Sequence, residues 1–312
     1  MKWNEIIGQT EAKSRLEFHI DGFKAGQPMP SLFFVGPRGF GKTSIATATG
    51  LRLSEISKGE RRFFLVNSGT IANDKQLAEQ ILIPLVQDKQ STILFDEAHS
   101  LKDKVVDSLL TVTQPNKEHR NTLSFNGGDI EIDLLKNSFM FATTQPHKVD
   151  MALMNRTKRI DLVDYSNDDL SKIIYRNASD IRFHHGTLLT LASVCRNTAR
   201  QAVMLADDVK TYLAPRHQST FGNEDWENLR KRLSIHPLGL SGLELQVLNI
   251  LGASKDVSLT RLAATMCMTP ESIRRDCELF LLKNGLIEIQ QSKGRNITPA
   301  GRMYLKAIEI NK

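Results

Sequence analysis

Cysteine is scarce in this 312-residue chain. Cys195, Cys267 and Cys277 are the only three, and no two share a CxxC spacing. A disulfide framework and a thiolate zinc site are therefore not expected, and a reducing compartment is. No apolar run approaches the ~18 residues that cross a bilayer. The opening "MKWNEIIGQT" has no long apolar stretch, so a signal peptide is not expected either, and the expected location is cytoplasmic. Internal repeats and low-complexity tracts are also missing. Charge is not strongly of one sign: the formal net charge is +6 and the sequence pI about 9.2. A mild basic excess permits a nucleic-acid partner without requiring one.

The composition that remains, 40% hydrophobic and 24% charged, suits a globular protein with a good core. Four short apolar runs end in small or polar residues: "SLFFVG" (31–36), "RFFLVN" (62–67), "STILFDE" (91–97) and "SFMFATT" (138–144). Such runs read as buried parallel strands, and the segments between them are long enough for crossover helices. Residues 1–163 are thus expected to form an α/β domain. From 164 to 236 the strand signals stop and helical periodicity takes over, with Asn167 and Asn223 as expected N-caps. Residues 237–312 give helix, helix, helix and hairpin, the order of a winged helix-turn-helix. The third helix is bounded by Thr269 as N-cap, Pro270 at N1 and Gly285 past its end.

"GPRGFGKT", Gly36 to Thr43, fits GxxxxGK[ST] and stands between a strand and a helix, the setting that a P-loop requires. Its glycines let backbone N–H groups close around phosphates at a helix N-terminus. Gly36, Pro37, Arg38, Gly39, Phe40, Gly41 and Ser44 are expected to cradle ATP. Lys42 would reach the β- and γ-phosphates, and Thr43 would hold Mg²⁺. "FDEAH" then supplies Asp96 for the metal and Glu97 to polarise a water. The letters DEAH also suggest a helicase of two RecA-like domains, but the residues after 163 carry no second such domain. His99 either couples the state of the nucleotide to a partner or, as the preferred reading, faces solvent on the helix that follows.

Three further stretches extend this reading. "FMFATTQP" ends a strand in Thr143 and Thr144, "LMNRTKR" carries Arg156, and "CRNTARQ" carries Arg200. Taken in order, the set resembles the RuvB family of AAA+ Holliday-junction branch-migration motors over essentially the whole chain. The resemblance implies an α/β P-loop NTPase of AAA+ type (1–163), a small helical lid (164–236) and a winged-helix DNA-binding domain (237–312). It implies adenine contacts from Ile6 and Ile7, a sensor threonine (Thr143 preferred), Arg156 as an arginine finger and Arg200 as a second sensor over the phosphates. It also implies ATP and Mg²⁺ as cofactors, duplex or branched DNA as partner, and a ring oligomer of this chain, hexameric in the family. Arg274, Arg275, Lys293 and Arg295 are the expected DNA contacts, the last two in the wing.

The chain also departs from the family. Met154 replaces the first Arg of "LRDR", and Cys195-Arg196-Asn197 replaces a glycine-bearing turn. "TLSF" and "DIEIDL" alternate about an Asn-Gly-Gly turn, a hairpin signal. In the family the matching hairpin makes an apolar contact with RuvA. Here its tip, "NGGD", is polar, which argues against docking of a RuvA-like adaptor. The other function these features fit is an ATP-switched loader or initiator of the clamp-loader or Orc/Cdc6 kind, which remodels without translocating.

Overall fold

The structure is a computed structural model that describes residues 2–290 and 294–310. The chain divides into two compact units. One comprises Met1–Asn177 with Asn197–Met204, the other Ala178–Arg196 with Leu205–Lys312. The expected boundaries at 163/164 and 236/237 do not coincide with this division, because the helix after Asp164 belongs with the strands and the stretch 197–204 returns to them.

The first unit is built on five parallel strands: β1 (Leu32–Val35), β2 (Arg62–Asn67), β3 (Ser91–Asp96), β6 (Asn137–Thr143) and β7 (Lys158–Asp161), in the order β2-β3-β6-β1-β7. The four expected runs are all strands. β7, "KRID", carries no such signal, since only one of its four residues is buried and it lies at the sheet edge. The hairpin is present as β4 (Arg120–Phe125) and β5 (Gly128–Asp133), with Phe125 paired to Gly128 across Asn126-Gly127. Both turn residues have positive φ, 49° and 78°, as a two-residue type I′ turn requires.

Residues of the central strands alternate between two cores. Phe33, Ile93, Phe95, Phe139 and Phe141 face one side, with Ile130 and Ile132 of the hairpin and the helix α4 (Asp103–Val112). Leu32, Phe34, Leu94, Met140 and Ala142 face the other, against α1 (Thr10–Lys24) and α2 (Lys42–Ile56). At the amino-terminal ends of β2, β3 and β6 the fully buried Arg61 donates to Leu135 O at 2.8 Å and Ser138 Oγ at 3.0 Å. Burial lowers its pKa to about 10, partly offset by Asp133. Helix α6 (Asn167–Asn177) starts one residue earlier than expected. Asn167 lies inside it, and the Ser166 hydroxyl accepts the Asp169 N–H at 3.1 Å.

In the second unit α7 (Thr187–Ser193) and α9 (Asn223–Arg232) join the later turns of α8 (Ala199–Leu213). Asn223 is again the first helical residue rather than the cap, and Gly222 precedes it. The winged-helix order is present: α10 (Gly242–Ala253), α11 (Leu259–Thr265), then α12 (Pro270–Ile273), which continues through the π-helical Arg274–Glu278 into α13 (Leu279–Lys283). Thr269 caps α12 by accepting the Ser272 N–H, and Pro270 is at N1. Ile273 and Cys277 are fully buried. Antiparallel β10 (Ile287–Gln290) and β11 (Gly294–Ile297) form the wing, and a bridge pairs Val257 with Arg295. A last helix, α14 (Pro299–Ile310), adds an element beyond the expected order.

Candidate nucleotide site

In an open parallel sheet, ligands bind at the carboxyl ends of the strands. Here β1, β3 and β6 deliver the P-loop, Asp96-Glu97 and Thr143-Thr144 to that edge, with Val35 in register with Thr143. A cleft of about 380 Å³ opens there within the first unit. Its wall includes Ile6, Ile7, Arg38, Gly39, Gly41, Lys42, Thr43, Ser44, Asp96, Glu97 and Arg200, so eleven of the expected residues meet in one place.

Gly39 and Gly41 have φ of 87° and 85°, in the left-handed region where glycine is favoured. A Cβ on Gly41 would come 2.9 Å from the Tyr165 hydroxyl. Lys42 is 7% exposed, and its ammonium donates to Gly36 O at 2.8 Å and Pro37 O at 3.0 Å. Gly36 and Pro37 therefore act through carbonyls behind the cleft wall. Phe40 is 4% exposed and belongs to the α1/α2 core. Burial lowers the Lys42 pKa; Glu97 and Asp96 oppose that shift, and Arg200 adds to it. Thr43 Oγ1 donates to Asp96 Oδ2 at 2.8 Å, and the Glu97 N–H donates to Asp96 Oδ1 at 3.0 Å. A hydroxyl and a carboxylate so joined are hard oxygen donors suited to Mg²⁺. Among the described residues no group of three or more His, Cys, Asp or Glu could hold a metal alone.

The sensor pair divides. Thr143 is fully buried and does not line the cleft; Thr144 does. Arg200 lines it at the start of α8, its N–H donating to Gly39 O at 3.3 Å. Arg156 does not reach its own cleft; its guanidinium donates to Leu110 O. His99 is not solvent-facing as expected: its side chain is 16% exposed and bonded to the sensor strand.

Several cleft residues lie outside the expected set. Tyr165 and Ile173, 6% and 3% exposed, close the apolar side beside Ile6, and Arg176 donates to Glu5 O. Gln9 ties this opening segment to the end of β7 through two bonds, Nε2 to Val163 O at 2.8 Å and Val163 N to Oε1 at 3.1 Å. The amphipathic pattern of α6 is the signal that points to them, since its apolar stripe has to face something.

In the winged helix one of the two expected wing contacts, Arg295, is engaged within the domain. Arg295 donates to both carboxylate oxygens of Glu278, with side chains 12% and 4% exposed. A guanidinium so paired is a structural ion pair rather than a free phosphate contact. Lys293 lies outside the described residues. Arg274 and Arg275 are exposed, and Arg275 pairs with Asp276 at 2.8 Å.

Fold and cleft together define a P-loop ATPase of the AAA type. Residues 32–165 match the model of the ATPase family associated with various cellular activities (AAA), and residues 237–306 match that of the RuvB C-terminal winged helix domain. Over its length the chain resembles RuvB, at an identity that makes it a divergent relative. It is 27% identical to the Holliday junction branch migration complex subunit RuvB 2 of Synechococcus sp. (strain JA-3-3Ab), over 96% of this chain and 81% of that one. It is also 27% identical to the RuvB subunit of Helicobacter pylori (strain J99), over 99% and 91%. The solved Thermotoga maritima RuvB Holliday junction branch migration motor matches with a TM-score of 0.78 at 21% identity, over 98% and 97% of the two chains. The Aeropyrum pernix ORC2 protein matches at 0.58 and 15%, over 96% and 93%. Among the described residues no helix is long and apolar enough to cross a membrane.

Proposed function

We propose that this chain is a ring-forming motor that hydrolyses ATP to translocate duplex DNA and move a Holliday-junction branch point. The observation that carries the reading is the joining of an AAA cleft to a RuvB-type winged helix in one chain. Lys42 neutralises phosphate charge, while Thr43 and Asp96 hold Mg²⁺, which supplies further charge neutralisation when bound. Glu97 orients and polarises the attacking water. Thr144, on the cleft wall, is the better placed sensor, with Thr143 behind it. Arg200 acts in its own subunit. Arg156, outside its own cleft, acts on a neighbour's, so turnover depends on assembly. Such phosphoryl transfer relies on position and charge rather than on covalent chemistry.

DNA is held mainly through phosphates. Residues 237–312 carry ten Lys/Arg against seven Asp/Glu, a net +3, which suits non-specific contact. With Arg295 engaged by Glu278, Arg274 and Arg275 become the preferred contacts. The hairpin turns Leu123, Phe125, Ile130 and Ile132 toward its own core, and its tip is polar, which disfavours docking of a RuvA-like adaptor there. The setting is a reducing cytoplasm, in keeping with three free thiols.

The test is ATP turnover with DNA present. Lys42→Ala should abolish hydrolysis, and Glu97→Gln should bind ATP without turning it over. Normal turnover by Glu97→Gln would overturn the catalytic assignment.

A further inference from the structure

His99 follows the acidic pair in a short 3-10 turn, Ala98–Ser100. Its Nδ1 lies 3.0 Å from Thr143 Oγ1 and 3.4 Å from Glu97 Oε2, and its Nε2 lies 3.2 Å from Gln145 Nε2. The Thr143 hydroxyl also accepts the Gln145 backbone N–H at 3.0 Å. With the Gln145 amide nitrogen as donor, Nε2 is the acceptor and Nδ1 carries the ring proton. That N–H bonds the Thr143 hydroxyl, and the Glu97 carboxylate lies 3.4 Å from the same nitrogen without yet being bonded to it. Glu97 Oε2 is buried and has no hydrogen-bond partner among the described residues, so the His99 ring is the donor poised to satisfy it. Glu97 itself sits at φ 53°, at the start of the turn that carries His99.

We propose that His99 is a positioning residue for hydrolysis: its ring ties the Glu97 carboxylate to the sensor strand through Thr143, the residue before the cleft-lining Thr144. The inference rests on the cleft being an ATPase site. His99 touches no reacting atom. It sets the direction of the carboxylate that does, and it links that direction to the strand whose end meets the nucleotide.

The test compares His99→Ala, His99→Asn and His99→Gln in the full chain with ATP, Mg²⁺ and duplex DNA. An asparagine amide reaches where Nδ1 stands, whereas a glutamine amide reaches toward Nε2. His99→Ala should lower kcat at least tenfold while the Kd for a fluorescent ATP analogue stays within twofold, which also shows that the variant is folded. His99→Asn should recover most of kcat and His99→Gln little of it. Thr143→Val should lower kcat, and adding His99→Ala to it should cost little more, because both remove the same link. A kcat for His99→Ala within twofold of the unaltered chain would overturn the proposal. So would a loss seen in nucleotide affinity alone, or an asparagine variant no better than alanine. Wild-type-like turnover by Lys42→Ala would instead sink the underlying ATPase reading.

Discussion

Arg61 shows what a single residue can do far from the cleft. It is fully buried, and it bonds the chain at Leu135 and Ser138 across the sheet's amino-terminal edge. Replacing it by alanine leaves those acceptors without a donor and opens a cavity, so Arg61→Ala should cost about 3 kcal/mol in urea denaturation. The sign of its pH dependence is fixed. A folded pKa of about 10 lies well below the ordinary arginine value, so the charge opposes folding at every pH below about 10, and that opposition is relieved only above it. The loss in Arg61→Ala should therefore be the same from pH 5 to pH 9; a loss that changes across that window would contradict this account. In the cleft, Thr144→Val should lower kcat about tenfold or more with nucleotide affinity retained, as removal of a polar group aimed at developing charge does. Sequence reasoning locates the pair Thr143-Thr144 but cannot say which one faces the cleft. A strand's alternation resolves only when its two faces are known, and both faces of β6 are buried. His99 escapes for a similar reason: a turn after a strand has no periodicity from which to infer its direction.

At the scale of elements, the parallel strands are legible because continuous apolar runs ending in polar residues have few other readings. β7 lacks that signal, and the Asn167 and Asn223 caps are each displaced by one residue, since Ser166 and Gly222 are equally available neighbours. The wing shows the opposite failure. A turn rich in Lys and Arg reads as a DNA contact, yet Glu278, seventeen residues away in sequence, claims Arg295. Breaking that pair leaves a buried carboxylate without its partner. Arg295→Ala should therefore cost about 3–5 kcal/mol in the winged helix, seen as an early unfolding step by thermal denaturation. Arg274→Ala with Arg275→Ala should leave that transition in place. It should also weaken duplex binding and lower the slope of log Kd against log salt by about one for each phosphate no longer neutralised. Unchanged salt dependence in the double variant would mean that the DNA lies elsewhere.

At the scale of the whole molecule, the proposed motor shares its site between subunits. The cleft carries Lys42, Asp96, Glu97 and Arg200, but Arg156 bonds Leu110 away from it. A subunit with Arg156→Ala and one with Lys42→Ala should each be inactive alone. Mixed, they should regain part of the ATPase activity, because the intact P-loop of the first meets the intact finger of the second. No recovery on mixing would place Arg156 outside catalysis. The central claim, that hydrolysis moves a branch point, is tested most directly on a synthetic four-way junction with labelled arms, using this chain alone and ATP. The account predicts salt-sensitive, ATP-dependent exchange of the arms that Glu97→Gln abolishes. Hydrolysis at full rate with the arms unmoved would contradict it and favour an ATP-switched loader.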